Sequence, residues 1–219
     1  MKIIYEDKWI ICINKPTGIP VQPDKTKDLS LLDNAENHLK SKLFLINRID
    51  RPASGIVIFA KTKKSAKYFS EVIQQKETLK TYYVITENKL EQEKGILEDY
   101  LIKKNNKAYI STDKAKGKKA ISNYEFTGKS INYFYYKITI KTGRFHQIRA
   151  QLAHRACHIK GDVKYGAKRA NKDRSIGLHA YGISFKHPFK KEQITLKADF
   201  PNQNIWNELK SQIEIDFKY

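Results

Sequence analysis

The chain has 219 residues, 40% of them hydrophobic, with ten Phe and thirteen Tyr, which suffices for one substantial core and excludes a disordered chain. Forty-two basic residues against 23 acidic ones leave a formal charge of +19, an excess that fits a polyanionic partner, nucleic acid foremost, or a highly solvated surface. No stretch reaches the roughly 18 apolar residues of a membrane span, the start lacks a signal peptide's apolar region, and Cys12 and Cys157 form no Cys-x-x-Cys pair, so one cytoplasmic domain over 1–219 with buried, reduced thiols is expected.

Short apolar stretches between Ile3 and Ile13, broken by Glu6, Asp7 and Lys8 and ended by Lys15-Pro16-Thr17-Gly18, predict a hairpin followed by a turn. From Ser30, a natural cap, Leu31, Leu32, Ala35, Leu39 and Leu43 recur near the helical period. Ile56 to Ala60 is a β-rich apolar run of strand length, and Ala66, Phe69, Val72 and Ile73 mark an amphipathic helix that Thr62 can cap. Thr81 to Thr86 and Tyr133 to Lys141 predict strands. Between them, Glu87 to Lys119 is polar and Lys-rich, which predicts short edge strands and loops, in contact with the partner or simply solvated. Leu178 to Phe185 and Gln193 to Phe200 again read as strands, and Ile205, Trp206, Leu209 and Ile213 stand at helical spacing.

Two segments carry candidate chemistry. In Asn47-Arg48-Ile49-Asp50-Arg51-Pro52-Ala53-Ser54-Gly55 an acid lies between two Arg just before an apolar strand. Guanidinium groups nearby favour the ionised carboxylate that a nucleophile or base requires, although a surface ion pair would look the same. Thr142 to Arg149 follows a strand and opens a helix, because Ile148, Leu152 and Ala156 repeat at four-residue steps. A partly buried Arg149 would need an acidic partner, for which Asp50 is a candidate. Only seven basic residues are Arg, and five of them, Arg48, Arg51, Arg144, Arg149 and Arg155, fall in or next to these segments, where a planar fork can grip phosphate or carboxylate.

Together the two segments closely resemble the RluA family of pseudouridine synthases. The match comprises Asn47-Arg48-Ile49-Asp50 with Ala53-Ser54-Gly55 and the strand to Ala60-Lys61, and a complete Thr-Gly-Arg-x-His-Gln-Ile-Arg motif at Thr142 to Arg149. It continues in order through Asn14-Lys15-Pro16-Thr17-Gly18, Lys80-Thr81-Tyr82, Gly161-Asp162-Val163-Lys164-Tyr165-Gly166, and Leu178-His179-Ala180 to His187-Pro188, nearly the whole chain.

The resemblance implies an α+β pseudouridine synthase catalytic fold, a mixed, mostly antiparallel sheet with flanking helices and a central RNA-binding cleft, here without the N-terminal S4 domain of some members. It implies isomerisation of uridine to pseudouridine in ribosomal or transfer RNA with no cofactor and no metal; a monomer is the default. Asp50 matches the catalytic aspartate, which attacks base or ribose or assists elimination. Tyr82 matches the tyrosine stacked on the target base, Arg149 the arginine paired with the catalytic carboxylate, and Arg48 a residue that fills the stack left by the flipped uridine; Arg144, His146 and Ile148 are expected on the substrate side. Asn47, Ala53 and Val84 depart from the usual His, Thr and Ala, which bears on how the Asp50 loop is braced and how closely the pocket fits. Two rivals remain: an inactive RNA-binding or RNA-chaperone protein on the same fold, which retention of Asp50, Tyr82 and Arg149 disfavours, and a metal site on His154, Cys157 and His158.

Overall fold

Two strands buried on both faces organise the first of two units in the computed structural model, which describes residues 1–216. This unit comprises residues 1–80 and 179–199. Strands β1 (Lys2–Glu6) and β2 (Ile10–Lys15) form the expected hairpin, and β2 pairs antiparallel with β4 (Ser54–Ala60). The short β3 (Phe44–Leu45) and β10 (Leu178–Lys186) share the other edge of β4, β3 antiparallel and β10 parallel, and β11 (Gln193–Lys197) pairs antiparallel with β10.

Period-two alternation divides the core. Ile10, Cys12, Ile56 and Ile58 pack with Phe69 and Ile73 of helix α2 (Lys63–Gln74), whereas Ile11, Ile13, Val57 and Phe59 pack with Leu31 and Ala35 of helix α1 (Leu31–Leu39). Because both faces are covered, β4 reads as an unbroken apolar run. Each helix starts at the expected cap, Ser30 bonding reciprocally with Asp33 and Thr62 with Ser65, contacts worth about 1 kcal/mol per helix.

The second unit comprises residues 81–178 and the segment from 200 onward. Its strand order is β5 (Leu79–Thr86), β9 (Phe134–Ile140), β8 (Lys118–Lys129), β6 (Lys94–Lys104) and β7 (Lys107–Ile110), with β9, β8, β6 and β7 successively antiparallel. Helix α3 (Gln147–His154) covers Leu101, Ala108 and Ala120 through Ala150. Helix α4 (Asn204–Asp216) carries Trp206, which stacks on Phe200 at 5.6 Å.

The structure corrects two expectations. The Lys-rich stretch supplies the expected short edge strand as β7 but also the eleven-residue β6, an interior strand between β8 and β7. Its inward row is Leu97, Asp99 and Leu101, and the buried acid in the middle hides the alternation. The β6–β7 turn is closed by Asn105 and Asn106, both left-handed at φ 47° and 54°, a conformation Asn tolerates. Helix α3 stops at His154, short of Ala156, whose φ is 52°.

Gly55 and His179 fix the pairing of β4 with β10. Gly55 adopts φ +117° against the Ala180 backbone, which leaves no space for a Cβ. The buried His179 accepts from Ser54 Oγ at Nδ1 (2.8 Å) and directs Nε2–H towards Ala198 O (3.4 Å), and burial pushes its pKa down to about 4. Gly55→Ala will cost about 3 kcal/mol or more, read as a lowered urea midpoint. The unfolded chain binds a proton at His179 near pH 6.5 and the native state only near 4, so this contribution is complete above 6.5 and is lost as pH falls towards 4. Thermal melts over that range will therefore show a steeper acid decline for wild type than for His179→Asn.

Candidate active site

The Asp50 loop is held from three sides within the first unit. Asn47, where the resembling family has His, donates Nδ2–H to Ile56 O (3.2 Å) and accepts from Ile58 N (2.7 Å), so it clips the loop to β4. The Asp50 carbonyl accepts from Ala53 N at 3.0 Å. The Arg51 carbonyl accepts from Gly18 N at 2.9 Å and from Lys15 Nζ at 3.1 Å.

Lys15 ends the apolar strand β2 and is 0% exposed. Its ammonium also donates to Pro16 O (2.8 Å) and Ile19 O (2.9 Å), so three N–H groups meet three carbonyls. Burial pulls its pKa down to about 7; the Asp50 carboxylate opposes that fall and the Arg51 guanidinium adds to it. The charged form is the one that satisfies every acceptor, and it places a cation in the electrostatic surroundings of Asp50. Gly18, at φ +83°, makes the tight turn that brings its amide to Arg51.

Arg51 itself turns to the segment before α1. It donates Nε–H to Gly18 O (2.9 Å) and Nη1–H to Thr26 Oγ1 (2.9 Å), and it pairs with Asp24 and Asp28. Arg48 is exposed, and Asp50 is half-buried.

In the second unit the Thr142–Arg149 motif is a polar lattice. Gln147 Oε1 accepts from Thr142 Oγ1 (2.7 Å) and Arg144 N (3.0 Å), while its Nε2 donates to Ser122 Oγ (2.9 Å) and Ile121 O (3.1 Å). His146, at φ 50°, precedes α3 and stacks on Phe145 at 3.8 Å. Arg149 is 4% exposed and presents Nε and Nη2 to the two oxygens of Asp162, each at 2.7 Å, with Asp162 1% exposed. Arg149 Nη1 donates to His146 Nε2 (3.2 Å), so the neutral His146 carries its proton on Nδ1, facing Tyr165 Oη at 2.8 Å. Tyr165 Oη also accepts from Ala108 N at 2.7 Å, and its ring lies 4.8 Å from the Arg149 guanidinium.

Asp162 is thus an acidic partner of Arg149 that the sequence reading did not name, although it stands in the Gly161–Gly166 motif. The clustered Arg side chains act largely as internal clamps: besides Arg51 and Arg149, Arg144 donates Nε–H to Lys119 O (2.9 Å) and Arg155 pairs with the buried Asp99 (3.0 Å). Ile148 is 5% exposed, whereas Arg144 is exposed and His146 half-buried. Tyr82, in β5, is half-buried and alternates with the buried Tyr83. His158 lies beyond the end of α3 and meets Tyr165 O at 2.8 Å, so the helical spacing behind the rival metal site does not exist.

Asp162→Ala leaves a buried guanidinium without its bidentate acceptor and will cost about 3–5 kcal/mol, measured as a fall in the denaturant midpoint. A change below about 1 kcal/mol would mean that this pair does not hold α3.

A family model described as RNA pseudouridylate synthase matches residues 9–154. The chain is 29% identical to tRNA pseudouridine synthase C of Vibrio parahaemolyticus, covering 99% of this chain and 96% of that protein. It is 32% identical to ribosomal large subunit pseudouridine synthase C of Rickettsia felis, covering 91% of this chain and 67% of that protein. Among solved structures, human RNA pseudouridylate synthase domain containing 4 superposes with a TM-score of 0.75 over 97% of this chain and 93% of that one, and at 21% identity it shows the shared fold. The matched model spans the Asp50 loop and the Thr142–Arg149 motif alike, and the chain belongs to the RNA pseudouridylate synthase family.

Proposed function

We propose that this RNA pseudouridine synthase modifies uridine in transfer RNA or ribosomal RNA, as a cytosolic monomer, with Asp50 as its catalytic residue and both units contributing to one catalytic domain. The observation that carries the assignment of Asp50 is the bracing of its loop: both adjoining carbonyls, the Asn47 amide and the buried Lys15 ammonium are committed to holding residues 47–53 in place. Such preorganisation keeps a carboxylate in one geometry while a nucleotide is flipped towards it.

Ionised Asp50 attacks the flipped uridine or assists departure of its uracil. The glycosidic C1′–N1 bond breaks, the uracil turns, C5 bonds to C1′ as any bond to the Asp50 carboxylate is released, and C5 loses its proton while N1 takes one up, directly or through solvent. Tyr82 offers an aromatic plane with a polar tip to the base, and Arg48 is exposed enough to enter the vacated stack. Arg144 and His146 serve the RNA side, and Ile148 and Arg149 support them from within α3. At Gly143 a Cβ would meet no heavy atom within 4 Å, open space into which RNA can approach the motif. The substrate class follows from relatives named for transfer RNA and for ribosomal RNA.

The test is pseudouridine mapping across all RNAs of a deletion strain complemented with wild type or Asp50→Asn. Wild type will restore one or more transfer- or ribosomal-RNA signals, and the variant, which keeps the side chain's size, will be slower by at least about a thousandfold in purified form. Equal restoration by the variant would remove Asp50 from the chemistry. No restoration by wild type would leave an RNA-binding protein.

A further inference from the structure

The end of β6 carries Lys103 and Lys104 and the start of β7 carries Lys107, and Lys164 closes on the turn between them by donating to Asn106 O. Elsewhere in the same unit lysines find acids: Lys119 meets Glu98 at 2.7 Å, Lys116 meets Asp113 at 3.2 Å, and Lys89 meets Glu93 at 3.3 Å. Among the described residues, no carboxylate pairs with Lys103, Lys104, Lys107 or Lys164. Four positive charges are therefore left uncompensated at one end of this sheet.

Two of them are also held. Lys103 Nζ stands 4.6 Å from the centroid of Phe145, the ring that stacks on His146, and Lys107 Nζ lies 5.0 Å from Tyr165, which His146 contacts. An aromatic face restrains an ammonium without neutralising it, so the charge stays available and little rotamer freedom is left to lose on binding. The β6–β7 turn itself is pinned to the motif side through Ala108 N and Tyr165 Oη. Restrained, unneutralised ammonium groups beside stacked rings match a sugar-phosphate backbone with neighbouring bases.

We propose that Lys103, Lys104, Lys107 and Lys164 form a phosphate-binding rim that grips the RNA backbone. The proposal rests on the RNA-modifying reading above and adds a separate affinity element to it. Neutralising a phosphate releases counterions, so each such contact steepens the fall of log affinity with log salt by about 0.7–0.9.

The experiment is a salt titration of binding by the full chain, with total transfer RNA and total ribosomal RNA as the probes. K103Q/K104Q/K107Q/K164Q will reduce the slope by about 3 and weaken binding more than tenfold at low salt, whereas the four Lys→Arg replacements will keep the wild-type slope. As a control for net charge, K63Q/K64Q/K67Q/K76Q on and just after α2 will leave the slope unchanged, and circular dichroism will check that each variant is folded. An unaltered slope in the rim variant, or an equal loss in the control, overturns the proposal. Pseudouridine formation by wild type on the same RNAs separates the two failures: product with an unaltered slope sinks the rim alone, and no product sinks the RNA-modifying reading as well.

Discussion

An ammonium group with no access to solvent must be surrounded by acceptors, and at Lys15 the acceptors are the main chain of the segments that flank it. Pro16 and Ile19 belong to the turn after β2, and Arg51 to the loop that carries Asp50. One cation thus ties the end of a strand to a loop more than thirty residues away in sequence. Removing it would take the side-chain donor from Pro16 O and Ile19 O and leave Arg51 O with the Gly18 amide alone. The other braces of the loop, Asn47 on β4 and Gly18 on Arg51, build on that fixed point.

The second unit solves the same problem with a different pairing. Arg149 is buried with Asp162, and a bidentate pair is the geometry in which attraction best offsets desolvation. Around it, Gln147 and Gln151 reach down from α3 to the backbone and side chains of β8 and β6, where the inward positions are Ser122 and Asp99 rather than large aliphatic groups. A helix seated on a sheet by hydrogen bonds resists sliding, since a shift of one residue would break several at once. The motif loop before α3 inherits that rigidity through Thr142 and Arg144.

Charge follows a division of labour. Arg149 and Arg155 present planar forks to buried carboxylates, while Arg51 and Arg144 clamp the backbone carbonyls of Gly18 and Lys119. Lysines make up most of the +19 and lie largely on the surface. That surplus gives long-range, salt-sensitive attraction to a polyanion, whereas the arginines hold the loops and strands that they bridge.

The sequence determined most of what is periodic and local. The strand at Ile56 to Ala60, the caps at Ser30 and Thr62, and the helix of Trp206 and Leu209 were legible because apolar spacing and capping chemistry act within a few residues. Ordered motifs around Asp50 and Arg149 likewise gave the family before any coordinate. Tertiary structure alone decided where buried charge and polarity settle. Asp99 and Ser122 masked two long strands because their polar side chains are met by Gln151 and Arg155, far along the chain. Asn47 proved a brace only through β4, and Asp162 a partner only through the return of the chain beside α3. Hydrophobic burial is written in the periodicity of one segment, but a buried polar group is defined by a partner from another, and that partner exists only once the chain has folded.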